Sequence, residues 1–178
     1  MAFCMRCGAV AESSIPPNDS RQRIVCTQCD FIHYENPKVI CGLLATWQDK
    51  VLLCRRAIEP RYGLWTLPAG FMEIGETMAE GANRECQEEA EGEGVEPQLY
   101  CLYDLPHIGQ IYALYRGELK DGLFGAGSES LECALFAESD IPWDDLAFRA
   151  IQQTLKHFFH DRRTGVFPIH HEMIGLQR

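Results

Sequence analysis

The sequence predicts an α/β domain with a small cysteine-rich module in front of it. The 178 residues suit one full domain plus such a module. After Asn36-Pro37, apolar runs bounded by turn residues interleave with two helical segments, which is the order of a layered sheet-and-helix domain. Before that point, four cysteines fall into two Cys-x-x-Cys pairs. Hydrophobic residues at 46% and charged residues at 24% exclude disorder, collagen-like sequence and a fibrous coiled coil.

In the first module, 18 residues separate Cys4-x-x-Cys7 from Cys26-x-x-Cys29, the spacing of a four-thiolate zinc ribbon. Each pair presents two sulfurs to one tetrahedral ion, so a Zn²⁺ held this way has no open position and is structural. Residues 1–36 are too few to hold a core, and metal binding is expected to supply much of the module's folding free energy. Pro16 and Pro17 make the stretch between the pairs a loop. The other five cysteines (Cys41, Cys54, Cys86, Cys101, Cys133) mostly sit in apolar stretches as small hydrophobes, and His33 reads as a surface residue.

The main domain is expected over 37–162, with 163–178 a tail to which pattern assigns no element. Val39–Trp47 and Val51–Arg55 read as strands joined by a tight turn at 48–50, and Leu64–Leu67 as a third short strand. A helix follows over 77–90, then strands at Gln98–Tyr103, Gln110–Tyr115 and Glu132–Ala137. Leu146, Ile151, Leu155, Phe158 and Phe159 recur at helical spacing, giving a last helix near 145–162 with Asp144 or Asp145 as its cap.

The helix over 77–90 is the informative element. Eight glutamates lie between Glu73 and Glu93, and Thr77-x-x-Glu80 is a capping box that fixes the helix start and therefore its phase. With Ala82 at zero and about 100° per residue, Met78, Cys86, Ala79 and Ala90 form an apolar stripe between about −40° and 80°. Glu80, Gln87 and Glu91 fall opposite, as solvated residues should. Glu89 falls inside the stripe and Glu85 on its edge, positions where an ionised carboxylate is costly without a cation or donors. Glu88 adjoins Glu89 and lies about one turn from Glu85, so three carboxylates can reach one site. Oxygen ligands without histidine or thiolate suit a hard cation, Mg²⁺ or Mn²⁺. Gly70 and Gly75 supply the tight loop before the helix and let its backbone approach a ligand or ion closely, which makes Gly70 a candidate substrate-binding residue.

The run Gly70-FMEIG-Glu76-TMAEGAN-Arg84-Glu85-Cys86-Gln87-Glu88-Glu89-Ala90-Glu91-Gly92 closely resembles the Nudix box, G-x5-E-x7-R-E-U-x-E-E-x-G-U with U a bulky aliphatic. Gly70, Glu76, Arg84, Glu85, Glu88 and Glu89 match; Glu91 stands where the family has glycine and Gly92 where it has an aliphatic. The departures touch the helix's last turn and spare the carboxylates. Val51–Arg56 and Gly63–Gly70 also resemble this family. The NADH pyrophosphatases share the ribbon, but their Pro- and Trp-containing signature after the box is not found here. The likeness is closer to zinc-ribbon members related to plant chloroplast FAD and ADP-ribose pyrophosphatases, through Cys26–Pro37, Arg55–Gly75, Asp104–Gln110 and Glu129–Cys133.

The resemblance implies a Nudix-type α/β/α sandwich that hydrolyses a nucleoside diphosphate linked to another moiety, X: FAD, ADP-ribose or an NADH-like dinucleotide, releasing AMP and phosphorylated X. Glu85 and Glu89 would be metal ligands and Glu88 a third ligand or the base, while Glu129 offers an alternative base from a later loop. Arg84 would pair with Glu76 to hold the loop against the helix. Arg55 and Arg56 could grip phosphate, although strand alternation points them to opposite faces.

With 26 acidic and 16 basic residues, the net charge of −10 repels phosphate backbones, and no basic run offsets it, so no nucleic-acid partner is expected. No apolar stretch reaches the about 18 residues of a membrane span, no secretory signal is evident, and a cytoplasmic location is the expectation. The family resemblance adds a homodimer. The rival function is a zinc-ribbon adaptor whose second domain binds a nucleotide without cleaving it. A capped RNA end or a nucleoside triphosphate is the rival substrate.

Overall fold

The computed structural model describes residues 2–175, and the chain divides into two compact units at Asn36/Pro37. The first unit is a four-stranded antiparallel sheet of β1 (Ala2–Phe3), β2 (Val10–Ser14), β3 (Arg23–Cys26) and β4 (Ile32–His33), in that order. Its buried residues, among those described, are Cys4, Ala11, Pro16 and Cys26. Four such residues do not make a hydrophobic core.

The second unit is built on one mixed sheet. Its path is β11 (Ser130–Phe136), β6 (Lys50–Arg56), β5 (Lys38–Trp47), β10 (Gln110–Leu119), β9 (Gly94–Leu105) and β12 (His170–Met173). Two short strands attach beside it, β7 (Trp65–Thr66) on β6 and β8 (Ala69–Phe71) on β5. The central strand β5 runs parallel to β10 and is buried on both faces, which is why it reads as a near-continuous apolar run. Its odd positions Cys41, Leu43 and Ala45 pack with α1 (Met78–Ala90); Ile40 and Leu44 pack with α2 (Arg149–Arg162) on the other face. The result is the expected α/β/α sandwich.

Four differences from the sequence reading have identifiable physical causes. The last helix begins at Arg149 behind Phe148, without a side-chain cap, and Asp144 and Asp145 sit in a separate short turn. The Ala147 amide donates to the Trp65 carbonyl at 2.8 Å and Leu146 bridges to Trp65, so the chain is held extended until residue 148. Strand β9 starts at Gly94 rather than Gln98, because Pro97, which lacks a donor, sits unpaired between the registers Val95↔Glu118 and Gln98↔Arg116. The short strands of the first unit and β8 also went unpredicted; two to five residues carry too little periodicity to be read. The segment 163–178, without an assigned element, contributes β12, which pairs in parallel with β9. No helix among the described residues is long and apolar enough to cross a membrane.

Candidate active site

The phase of α1 carries Glu85 and Glu89 to its sheet-facing side, where they retain 8% and 5% exposure, while Glu88 stays exposed. The helix start is fixed as the sequence requires: Glu80 N donates to Thr77 Oγ1 at 3.2 Å, and Thr77 N to Glu80 Oε2 at 2.7 Å. At the other end, Glu91 takes the left-handed conformation (φ 48°) and its amide bonds the Cys86 and Gln87 carbonyls. This is the position where the box pattern has glycine.

Arg84 uses all five of its N–H donors. Its Nε and Nη2 form a fork on Glu76 at 3.0 and 2.9 Å, and Nη2 also donates to the Phe71 carbonyl at 3.0 Å. Nη1 donates to Glu85 at 2.8 Å and to Glu88 at 2.9 Å. One guanidinium therefore ties the loop before α1 to two of the three carboxylates. Through these bonds, first of all that of Arg84, the Glu76 carboxyl is held below its ordinary range.

Glu89 is different. Burial pushes its carboxyl up to about 8, against a single lowering donor, the Ala69 amide at 3.1 Å. Burial also raises Glu85, with Arg84 opposing. The Glu85 carboxylate lies directly over Gly70, where any Cβ would collide with it, so glycine at 70 is a steric requirement of the carboxylate's position. Two buried carboxyls, Glu85 over the Gly70 backbone and Glu89 with one hydrogen-bond donor, both raised by burial, fit a divalent cation bound by oxygen ligands.

Glu129 arrives from a loop that caps α1. The amides of Gly125 and Gly127 donate to the Ala90 and Glu89 carbonyls at 2.8 and 3.1 Å, and Gly127 lies so close to the Glu88 carbonyl that no side chain fits there. Held this way, Glu129 lines the same cleft as Glu85, Glu88 and Glu89. Its charge contributes to the upward shifts of Glu85 and Glu89.

The cleft measures about 950 Å³ and also contains Gly70, Arg84 and Arg56. Arg56 is 8% exposed, with Nε bonded to the Pro60 carbonyl at 2.9 Å and its guanidinium 5.2 Å from the Phe148 ring centroid. Arg55 points to the other face of β6, paired with Glu132 at 3.0 Å and bonded to the Gly63 carbonyl, outside the cleft. Of the candidate residues in this unit, Arg55 is the one the structure does not bring to the cleft; Glu76 joins it through Arg84. Sequence spacing missed the walls formed by Phe148–Arg149 and Ile174–Gly175, which come from α2 and the end of β12. No local motif marks them.

In the first unit, Cys4 Sγ lies 3.8 Å from Cys29 Sγ and Cys7 Sγ 3.5 Å from Cys26 Sγ, and all four sulfurs fall within 4.8 Å of one another. Tetrahedral Zn–S bonds of about 2.3 Å require S···S edges of about 3.8 Å, so the donor set fits. The Cys29 and Gln28 amides aim at Cys26 Sγ and bring that thiol down to about 6, toward the thiolate a metal needs.

The family model described as Nudix N-terminal matches residues 2–35, and the one described as NUDIX domain matches residues 36–146. The chain is 49% identical to a NUDIX hydrolase from Nitrosomonas europaea of known crystal structure, covering 98% of this chain and 99% of that one with a TM-score of 0.94. It is 31% identical over 90 residues to the NAD-capped RNA hydrolase NudC of Vibrio atlanticus (strain LGP32), covering 50% of this chain and 31% of that protein. It is 32% identical over 108 residues to the human 8-oxo-dGDP phosphatase NUDT18, covering 58% and 33%. The chain thus spans about a third of the length of these curated relatives. A bifunctional NMN adenylyltransferase/ADP ribose pyrophosphatase from Francisella tularensis shares the fold at 20% identity, with a TM-score of 0.63 over 72% of this chain and 42% of that one.

Proposed function

The chain belongs to the NUDIX family, and from that premise we propose that it hydrolyses the pyrophosphate bond of a nucleoside diphosphate linked to a second moiety, with FAD, ADP-ribose and NADH-like dinucleotides as the candidate substrates. The observation that carries this reading is the pair of buried carboxylates, Glu85 and Glu89, in a cleft large enough for such a molecule. The relatives' printed substrates, an NAD cap and 8-oxo-dGDP, share a nucleoside diphosphate element.

Glu85, Glu88 and Glu89 would hold Mg²⁺ or Mn²⁺. Bound there, such an ion would neutralise the diphosphate and polarise the phosphoryl group toward water. Arg84 keeps Glu85 and Glu88 aimed together while Glu76 holds Arg84 in place. Arg56 offers its remaining donors to a phosphate oxygen from a fixed, buried position. Glu129 is the favoured base: Glu88 is engaged by Arg84 at 2.9 Å, whereas the Glu129 carboxylate has no hydrogen-bond partner among the described residues. It takes one proton from the attacking water as the bridging oxygen leaves with the second phosphate, giving AMP and phosphorylated X.

In the first unit, Cys4, Cys7, Cys26 and Cys29 would bind one structural Zn²⁺. A homodimer is the expected assembly, checked by the mass in solution.

The test is product analysis from FAD, ADP-ribose, NADH and a nucleoside triphosphate panel with Mg²⁺ or Mn²⁺, in wild type, Glu89→Gln and Glu129→Gln. Metal-dependent AMP release from one dinucleotide, lost in Glu89→Gln, supports the reading and names X. Folded, metal-loaded protein that binds a dinucleotide without turning it over would leave the adaptor reading instead. An NAD-capped oligonucleotide belongs in the panel, since NudC is named for that substrate.

A further inference from the structure

Helix α2 and strand β12 face each other through two short rows of polar side chains. Gln153, His157 and Asp161 are spaced four apart and share one face of α2; His170 and Glu172 are two apart and share one face of β12. The His157 and His170 rings stack with centroids 3.8 Å apart and planes inclined by 13°, so they must splay about χ2 before their in-plane lone pairs converge on one ion. His157 Nε2 lies 2.9 Å from Glu172 Oε1, and donor atoms of His157, His170 and Glu172 all fall within 4.8 Å of one another.

Behind this trio stands a buried carboxylate. Asp161, 5% exposed, accepts from the Tyr100 hydroxyl and meets His170 Nε2, both at 2.7 Å. A carboxylate in that position accepts from the ring N–H, so the other nitrogen of the neutral imidazole keeps its lone pair; this is how metal-binding histidines are oriented. His157 Nε2 is also approached by the Gln153 amide nitrogen at 3.2 Å. Glu172 keeps 42% of its side chain exposed, which leaves an entry path.

We propose that His157, His170 and Glu172 form a transition-metal site, separate from the cysteine cluster and from the acidic cleft, that takes Zn²⁺ or a divalent ion of the same class. Two imidazoles and one carboxylate favour such an ion over Mg²⁺. The site joins β12 to α2, and β12 runs directly into Ile174 and Gly175, which line the cleft. The Gly175 carbonyl is in turn 3.3 Å from Arg149 Nη1, at the first turn of α2. Metal bound here fastens one wall of the cleft from behind.

The experiment titrates the full, zinc-loaded chain with Zn²⁺, and in parallel with Co²⁺, in Mg²⁺- and Mn²⁺-free buffer. Bound metal is counted, Co²⁺ absorption recorded, and hydrogen exchange of the β12 amides followed. Expected is an equivalent beyond the cysteine site that His157→Gln and Glu172→Gln each weaken at least about tenfold and Glu89→Gln leaves in place. At about a hundredfold excess over Kd, β12 amides should exchange about a hundredfold more slowly. Absence of an extra equivalent, or one that survives both cluster variants, overturns the proposal. Should His157→Gln fail to fold, Glu172→Gln, on the exposed strand, decides the matter alone. None of these readouts depends on turnover, so a failed substrate assignment leaves the site testable and a failed site leaves the hydrolase reading standing.

Discussion

The two helices of the main unit are 13 and 14 residues long and cover opposite faces of one sheet, yet different forces hold them. α2 buries Ile151, Leu155, Phe158 and Phe159, each contributing about 1.5–3 kcal/mol of apolar burial, and begins without a side-chain cap. α1 buries Gly81, Ala82, Cys86 and Ala90 beside Glu85 and Glu89, so its inner face is small or acidic. It is fixed instead by local bonds: a capping box at one end, backbone donors from the 125–127 loop at the other, and the five-bond Arg84 hub between. A helix that gives its buried face to carboxylates has to be stabilised from its ends and flank.

The largest effect that would sharpen this contrast is on rate. Glu89→Gln should lower turnover of the dinucleotide substrate roughly ten-thousandfold, about 5 kcal/mol on the barrier, while the protein stays folded. Equal turnover by mutant and wild type would remove Glu89 from the chemistry. On the opposite face, Phe159→Ala should cost about 3–5 kcal/mol of stability in urea unfolding with little change in substrate KM.

Glu89 also predicts a pH dependence for the Mg²⁺- and Mn²⁺-free protein. Its folded value of about 8 lies above the ordinary 4.5, so the folded state keeps a proton that the unfolded state releases. Stability from this group is therefore complete below pH 4.5 and declines as pH rises to about 8, by an amount on the order of 5 kcal/mol. Glu89→Gln should flatten that slope, seen by denaturation at a series of pH values. A parallel slope in the mutant would show that burial of Glu89 is not its source.

The smaller effects concern the helix ends. Thr77→Ala should cost about 1 kcal/mol by removing the cap of α1, whereas no single polar side chain at the start of α2 should matter as much. Glu91→Gly should stabilise by about 0.5–1 kcal/mol, because only the left-handed backbone at φ 48° makes a side chain unfavourable there. Thermal shifts of opposite sign for these two variants would support local control of α1; no shift in either would place its stability in packing.

Much of this was legible in the chain. The capping box fixed the phase of α1, and the phase alone separates Glu85 and Glu89 from the solvated Glu80, Gln87 and Glu91. The Cys-x-x-Cys spacing foretold four sulfurs in one cluster. Alternation along β6 required Arg55 and Arg56 to diverge, but which one enters the cleft depended on the pairing of that strand with β7 and β11. The start of α2 was misplaced because the Trp65 carbonyl, some eighty positions upstream, holds Ala147 extended. Strand β12 left no periodicity over its four residues, and its partner β9 lies about seventy positions away.

By itself the sequence determined what hydrogen bonds and side-chain phase decide within a turn or two: the capped helix, its inward carboxylates and the paired thiols. Tertiary structure decided which distant segments share a surface: Glu129 brought to the acidic helix, Arg56 turned into the cleft, and the His157–His170–Glu172 trio assembled from a helix and an edge strand. Short-range spacing is written in the order of residues, whereas strand pairing and loop docking are chosen by burial and backbone hydrogen bonding across the whole unit, which no local window contains.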